Sequence, residues 1–372
     1  MKIGIPKEIK TREYRVGLVP GSVRELTHNG HEVYIETHAG AAIGYHDDDY
    51  KVVGATILSS PEEVFETADL IIKVKEPQPR ECALLRQDQL LFTFLHLAPD
   101  PRQAEGLIAS GCTAIAYETV TDSHGGFPLL SPMSEVAGRM SVQVGAHNLE
   151  IAQGGPGLLL GGVPGVEPAR VVVLGGGVVG TNAARMALGL GAKVTIIDRS
   201  IPRLQELDHL FGARIHTVYS TIDNIERLVS NADLVIGAIL LPGASAPKLI
   251  TRDMISKMRP GSVVVDVAID QGGCFETSKP TTHNDPTYLV DGVIHYCVAN
   301  IPGAVARTST LALNHATLPF ILQLANLGGE KALLQNLHLL DGLTVCNGHI
   351  TNEAAARDLG KPFLAPSLAL AA

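Results

Sequence analysis

The sequence predicts an α/β protein made of two doubly wound domains, and three observations point there. Short β-rich runs alternate with helix-length segments at the spacing of βαβ units. That alternation gives way to a long helical pattern at Ser134 and restarts at Arg170. With 372 residues, 45% of them hydrophobic and 18% charged, the chain exceeds one small core and has an ordinary globular balance.

In the first third, Lys2–Ile5, Glu32–Ile35, Asp69–Lys75, Leu90–His96 and Thr113–Glu118 read as strands. Gly21–Asn29, Pro61–Ala68 and Pro101–Ser110 read as the helices between them. The long helix then runs from Ser134 to about Gln153. The stretch Gly154–Gly165 that follows reads either as a linker or as a structured loop, since Leu158–Leu160 suit a free linker poorly. Arg170–Leu174, Lys193–Ile197, Arg214–Val218, Asp233–Ile236, Ser262–Ala268 and Val293–Val298 are the strands of the second α/β unit. From Ala306 the chain reads as helical, and this last stretch is expected to pack back onto the first domain. The expected division is 1–130 with 306–372 as one discontinuous domain and 131–305 as the other.

Composition narrows the function. A net charge of −9 without a Lys/Arg cluster argues against nucleic acid as a partner. Apolar runs are strand-length rather than membrane-length, and the first residues lack the apolar segment of a signal peptide. The five cysteines form no CxxC pair, so a reduced, cytoplasmic protein without a metal site is expected.

Gly175-Gly176-Gly177-Val178-Val179-Gly180 fits G-x-G-x-x-G, and its setting makes the match specific. The strand Val171–Leu174 enters it, the helix Val178–Leu190 leaves it, and the next strand runs into Asp198. Gly175 serves the tight turn, Gly177 the close approach of a pyrophosphate, and Gly180 the packing of helix on strand. The helix N-terminus offers N–H groups and positive dipole to phosphate. Asp198 would accept from the adenosine ribose and repel a 2′-phosphate, favouring NAD over NADP, although Arg199 and Arg203 lie nearby. This domain is therefore read as a Rossmann NAD-binding domain.

Ligands of open α/β sheets bind beyond the carboxyl ends of the strands. Several apolar strands here finish on charged or titratable residues: Lys75, His96, Glu118 and Asp270, with Arg15 in the loop after the first strand. Singly, each is most simply a solvated loop residue; together they describe a pocket for an anionic substrate. Arg15 and Lys75 suit a carboxylate, His96 suits proton transfer near neutrality, and Asp270 suits a developing positive charge or a water. Ser131–Ser134 fit either a cofactor contact or a helix cap. His283, His295 and His315 follow no metal spacing, and Asn300–Gly303 is expected to border the nicotinamide.

These residues resemble the alanine dehydrogenase family, whose nearest relatives are the NAD-binding subunits of proton-translocating transhydrogenases. The resemblance spans essentially the whole chain. It rests on Met1–Glu8 leading to Glu13–Val16, on Lys73–Pro77, Phe94–Ala98, Ser131–Gly138, Gly161–Gly165, the glycine fingerprint and Asp266–Asp270. It implies reversible oxidative deamination of L-alanine to pyruvate and ammonia with NAD, in a homohexamer. By motif, Arg15 and Lys75 would hold the substrate and His96 and Asp270 would be the acid/base pair. Ser134, Val178, Asp198, Arg203, Ser220, Ile239, Leu240, Val267, Ala268, Ile269, Asp270, Lys279, Val298, Ala299, Asn300 and Ile301 would line the NAD site. Thr11-Arg12 departs from the family, where many relatives carry asparagine. A partner-dependent transhydrogenase component would need no Lys75, His96 and Asp270 together, and a non-catalytic NAD sensor would tolerate loss of the proton-transfer residues, which are present here.

Overall fold

The computed structural model describes residues 1–239 and 247–371. It consists of two compact units, Met1–Met133 with Val305–Ala372, and Ser134–Ala304. In chain order, the first unit opens with β1 (Lys2–Ile5), β2 (Glu32–Glu36), β3 (Thr56–Leu58), β4 (Leu70–Ile72), β5 (Leu90–Thr93) and β6 (Thr113–Ala116). The central unit holds β7 (Arg170–Leu174), β8 (Lys193–Asp198), β9 (His216–Tyr219), β10 (Leu234–Gly237), β11 (Val263–Asp266), β12 (Thr287–Val290) and β13 (Val293–Tyr296). The chain then adds β14 (Leu343–Cys346) and β15 (His349–Ile350) to the first unit.

The first sheet has the order β15-β14-β6-β5-β4-β1-β2-β3. Every pair from β6 to β3 is parallel, while β14 is antiparallel to both its neighbours. The order reverses between β1 and β4, which makes that point the topological switch where such sheets bind ligands. β4 is buried along its whole length, as a strand covered on both faces must be. Local chemistry sets the crossover helices. Pro61–Thr67 starts on Ser60, whose hydroxyl accepts the Glu63 N–H at 3.3 Å, and Pro101–Ser110 starts on Asp100 and stops at Gly111, φ +69°.

The second sheet has the order β12-β13-β11-β10-β7-β8-β9, parallel throughout except for β12. Its switch point lies between β7 and β10. The core below it gathers Val172, Leu174, Val235, Ile255, Val264 and Phe275 with the residues around them.

Several elements differ from the sequence expectation. The runs Asp69–Lys75, Leu90–His96 and Thr113–Glu118 end as strands at Ile72, Thr93 and Ala116. Ser262–Ala268 ends at Asp266 and turns into the 3-10 segment Val267–Gln271, and Val293–Val298 ends at Tyr296. The long helix starts at Ser131 and ends at Asn148. Its glycine-rich successor is an ordered loop: Gly157 N–H donates to Leu149 O at 2.9 Å, and Leu160 is buried. The C-terminal stretch is helical over Ala306–Leu327 but also supplies β14 and β15, and the short strands β3 and β12 carried no recognisable sequence pattern.

Candidate active site

In the first unit the flagged residues follow consecutive sheet neighbours: Glu118 follows β6, His96 follows β5, Lys75 follows β4 and Arg15 follows β1. Because these strands are parallel, the four sit along one edge of the sheet, with Lys75 and Arg15 on either side of the switch point.

Arg15 is only 2% exposed. Its Nε and Nη2 donate to the two carboxylate oxygens of Glu13 at 2.7 and 2.6 Å, and Nη1 donates to Met133 Sδ at 3.2 Å. The fork expected for a substrate is therefore braced by Glu13, which orients the guanidinium. The loop itself is tied to the helix Ala306–Leu327 by Asn314, which accepts the Val19 N–H at 2.8 Å and donates to Gly17 O at 3.0 Å. Arg12, at the family departure, has φ +62°, a region that asparagine enters more readily.

Lys75 is half-buried. Its N–H donates to Glu8 Oε1 at 3.2 Å and its carbonyl accepts from Thr93 Oγ1 at 3.0 Å. Beside it, burial raises the Glu76 carboxyl, yet Lys75 and the Lys10 hydrogen bond outweigh burial and hold its pKa below the usual range.

His96 adopts φ +45°, a strained conformation for a residue with a Cβ. Glu118 holds it there: its Oε1 accepts the His96 N–H at 2.6 Å and its carboxylate also accepts the Leu95 N–H at 3.2 Å. The same Oε1 lies 3.9 Å from His96 Nδ1. Phe94 stacks parallel to the imidazole at 5.7 Å, and Tyr117 meets Phe94 edge-on at 5.1 Å. The ring is thus turned outward from a rigid aromatic base, with Nδ1 on the carboxylate side.

The central unit gathers its flagged residues along the corresponding edge of its own sheet. Gly175, with φ +95°, leaves β7 in a conformation that only glycine takes without strain. A Cβ at Gly180 would overlap Gly175 O, whereas one at Gly177 would meet nothing within 4 Å. Open space at Gly177 and the side-chain-uncapped start of the helix Val178–Gly189 form a cradle that fits a pyrophosphate. At the end of β8, Asp198 Oδ2 accepts the Gly176 N–H at 2.7 Å and Oδ1 accepts the Ser200 N–H at 2.8 Å. Arg203 donates to Gly176 O at 2.7 Å and to Thr181 Oγ1 at 2.8 Å, and so clamps the glycine turn.

Ser220 N–H donates to Asp198 O at 3.0 Å, and Ile239 follows β10 against the Gly175 turn. Leu240 lies outside the described residues. Val267, Ala268, Ile269 and Asp270 form the 3-10 turn after β11, with Asp270 exposed. Asp266 caps that turn from within the core, accepting the Ala268 and Cys274 N–H groups at 3.1 and 2.9 Å and the Ser278 hydroxyl at 2.5 Å. Burial pushes its carboxyl up against these donors. Lys279 lies 4.4 Å over the Tyr288 ring. After β13, Val298 and Ile301 are buried, Ala299 is exposed, and Asn300, at φ +65°, accepts at its carbonyl from His283 Nε2 at 3.2 Å. Ser134 stands in the first turn of the helix Ser131–Asn148. His295 is buried, bonded to Thr277 Oγ1 at 2.7 Å and to Val293 O at 3.0 Å.

Sequence reading missed the roles of Glu8, Glu13 and Asp266 and gave Glu118 no partner. For Asp266 and for Lys73 the available signal is a charge inside an otherwise apolar run; Glu8 and Glu13 stand among other charged residues and carry no such signal. Among the described residues no cluster could hold a metal ion, and no helix is long and apolar enough to cross a membrane.

Comparison with known proteins finds two family models that together span most of the chain. Residues 4–137 match the family model "Alanine dehydrogenase/PNT, N-terminal domain", and residues 141–353 match "Alanine dehydrogenase/PNT, C-terminal domain". The alanine dehydrogenase of Halomonas elongata is 60% identical over 98% of both chains. That of Bacillus subtilis is 54% identical over 100% of this chain and 98% of its own. A solved structure titled L-alanine dehydrogenase superposes with a TM-score of 0.94 at 52% identity, over 97% of this chain and 99% of the other. Full-length kinship of this kind, on top of a fold whose strand ends carry the expected residues, means that the chain belongs to the alanine dehydrogenase/PNT family.

Proposed function

We propose that the chain catalyses the reversible, NAD-dependent oxidative deamination of L-alanine to pyruvate and ammonia. The observation that carries this reading is the row Glu118, His96, Lys75, Arg15 beyond β6, β5, β4 and β1. Identity of 60% and 54% to proteins named alanine dehydrogenase supports the choice of amino acid. The first unit is the substrate domain and the central unit the NAD-binding domain.

Bound NAD would supply the acceptor for the hydride that leaves the alanine Cα. Arg15, braced by Glu13, holds the substrate carboxylate, and Lys75 directs the carbon that becomes the carbonyl. Alanine in its free-amine form loses hydride to leave an iminium, which water attacks to give a carbinolamine; transfer of a proton from its hydroxyl to its nitrogen releases pyruvate and ammonia. His96 Nε2 takes the proton from that water while Glu118 keeps Nδ1 oriented. Asp270, on the turn capped by Asp266, stabilises the positive charge of the iminium. Gly175, Gly177, Val178 and Gly180 receive the pyrophosphate. Asp198 receives the adenosine ribose and disfavours a 2′-phosphate, and Arg203 is engaged in the turn rather than turned toward such a phosphate. Ser134, Ser220, Ile239, Val267–Asp270, Lys279 and Val298–Ile301 would complete the cofactor lining.

The assembly is taken to be a cytoplasmic homohexamer. Family resemblance supports the hexamer, and five buried cysteines without a disulfide support a reducing compartment. Analytical ultracentrifugation tests the first. The activity is tested by following NADH absorbance with NAD and L-alanine, with serine, glycine, L-lactate and NADP as controls. NADH formation with alanine alone is the expected result; NAD binding without turnover of any amino acid would sink the proposal.

A further inference from the structure

The run predicted as strand over Asp69–Lys75 stops at Ile72, and the acceptor of the N–H groups of Val74 and Lys75 comes from far upstream. Glu8, 7% exposed in the loop after β1, accepts the Val74 N–H at 2.7 Å and the Lys75 N–H at 3.2 Å through its Oε1. Its Oε2 accepts from Lys73 Nζ at 3.0 Å. Lys73, wholly buried, also pairs with Glu81 Oε1 at 2.7 Å, and Glu81 Oε2 accepts the Gln78 N–H at 2.8 Å. Residues 73–78 are thus bracketed by two carboxylates that share one buried ammonium.

Burial pushes the Glu8 carboxyl up, against the pull of Lys73. A buried ion pair of this kind is weak ground for stability, since well-packed apolar side chains do as well or better. What apolar side chains cannot do is accept two consecutive N–H groups and so fix the backbone direction at Lys75.

We propose that Glu8 is the positioning residue of Lys75, setting the course of its backbone so that the ammonium meets the substrate, with Lys73 and Glu81 holding Glu8 in place. The inference rests on the reading of Lys75 as a substrate-binding group. Two variants test it in the full-length enzyme: Glu8→Gln sets an amide against the Lys73 ammonium, and Glu8→Asp keeps the charge but withdraws it by one methylene. Each is expected to raise the pyruvate KM by about tenfold or more, while the NADH Kd, read from nicotinamide fluorescence, stays within about twofold of the parent. Amide exchange in the peptide spanning residues 73–78 should quicken. Glu8→Asp combined with Lys75→Met should raise KM no further than Lys75→Met alone.

If Glu8→Gln does not fold, Glu8→Asp decides, provided that it melts like the parent. A parent-like pyruvate KM in folded Glu8→Asp, or KM effects that multiply in the double variant, would overturn the proposal. Should Lys75→Met itself leave the pyruvate KM unchanged, the substrate role of Lys75 fails, and with it the functional half of the proposal. Exchange over residues 73–78 then reports separately whether Glu8 governs that backbone, and unchanged exchange overturns this part too.

Discussion

The two units build comparable sheet edges by different means. In the central unit the critical turn is shaped by what glycine lacks: Gly175 takes φ +95° and Gly180 leaves room for Gly175 O. In the first unit the strand ends are shaped by side chains brought from elsewhere, Glu8 for Lys75 and Glu118 for His96. A glycine turn is a local backbone solution, written in six adjacent residues. Carboxylate-capped ends are long-range solutions, written in residues 67 and 22 positions away. The first kind tolerates no added atom at Gly180; the second tolerates atoms but not loss of charge or reach.

The largest effect is expected at the reacting head of the first unit. His96→Ala should lower kcat by roughly 10²–10⁴-fold, with NADH affinity and melting temperature near the parent's; parent-like turnover would remove His96 from proton transfer. Glu118→Gln should lower kcat by about tenfold or more, because one amide group replaces the acceptor of two N–H groups and the oxygen facing Nδ1. A pH–rate profile shifted together with the loss of kcat would mark an effect on His96; a lowered melting temperature with kcat intact would mark support of the fold alone.

The glycine side is sharpened by a pair of variants with opposite expectations. Gly180→Ala should destabilise the protein by roughly 1–3 kcal/mol, seen as a lower melting temperature before any ligand is added. Gly177→Ala should leave the melting temperature unchanged and weaken NADH binding, since its Cβ meets nothing in the protein but fills the cradle. If both variants affect stability equally, the distinction between a packing glycine and a ligand glycine fails.

The smallest effect concerns His295, whose pKa burial depresses, against its bond to the Val293 carbonyl and the charge of Asp291. A depressed histidine binds its proton more readily in the unfolded chain, so its contribution to stability is present above its ordinary pKa near 6.5 and lost as the pH falls. Glu8, Glu36 and Asp266, all raised chiefly by burial, work in the opposite direction across the carboxylate range. The test is therefore a difference: the gap in melting temperature between the parent and His295→Gln should narrow from pH 7.5 to pH 5.5. A gap independent of pH would show that His295 does not titrate on unfolding.

The same contrast explains what could be read beforehand. β1, β7 and the helices Pro101–Ser110 and Ala306–Leu327 match the sequence expectation because caps, stops and apolar periodicity lie within each segment. So did the glycine turn. The runs at Lys75, His96 and Ala268 read as strand too far because apolar residues such as Val74, Leu95 and Val267 continue past the last regularly paired position. Past each strand end an acid accepts the outgoing N–H groups, from another element in the first two cases and from the strand's last residue, Asp266, in the third. The candidate positions were visible as polar strand ends. Their scaffolding was not, because Glu8, Glu13 and Glu118 look like ordinary surface acids until tertiary contacts bury them.

The return of the chain to its first sheet has a consequence for synthesis. β6 gains its outer neighbour only from Leu343–Cys346, and the Arg15 loop gains its Asn314 tether only from the long helix after the central unit. On the ribosome, the segment that emerges first is therefore the last to be completed, and its incomplete sheet edge at β6 waits through some two hundred residues of elongation. The central unit is contiguous and has all its own strands in hand long before. The nascent chain thus has its cofactor half ready before its substrate half, and a ribosome stalled short of residue 343 leaves that edge open to the wrong partner.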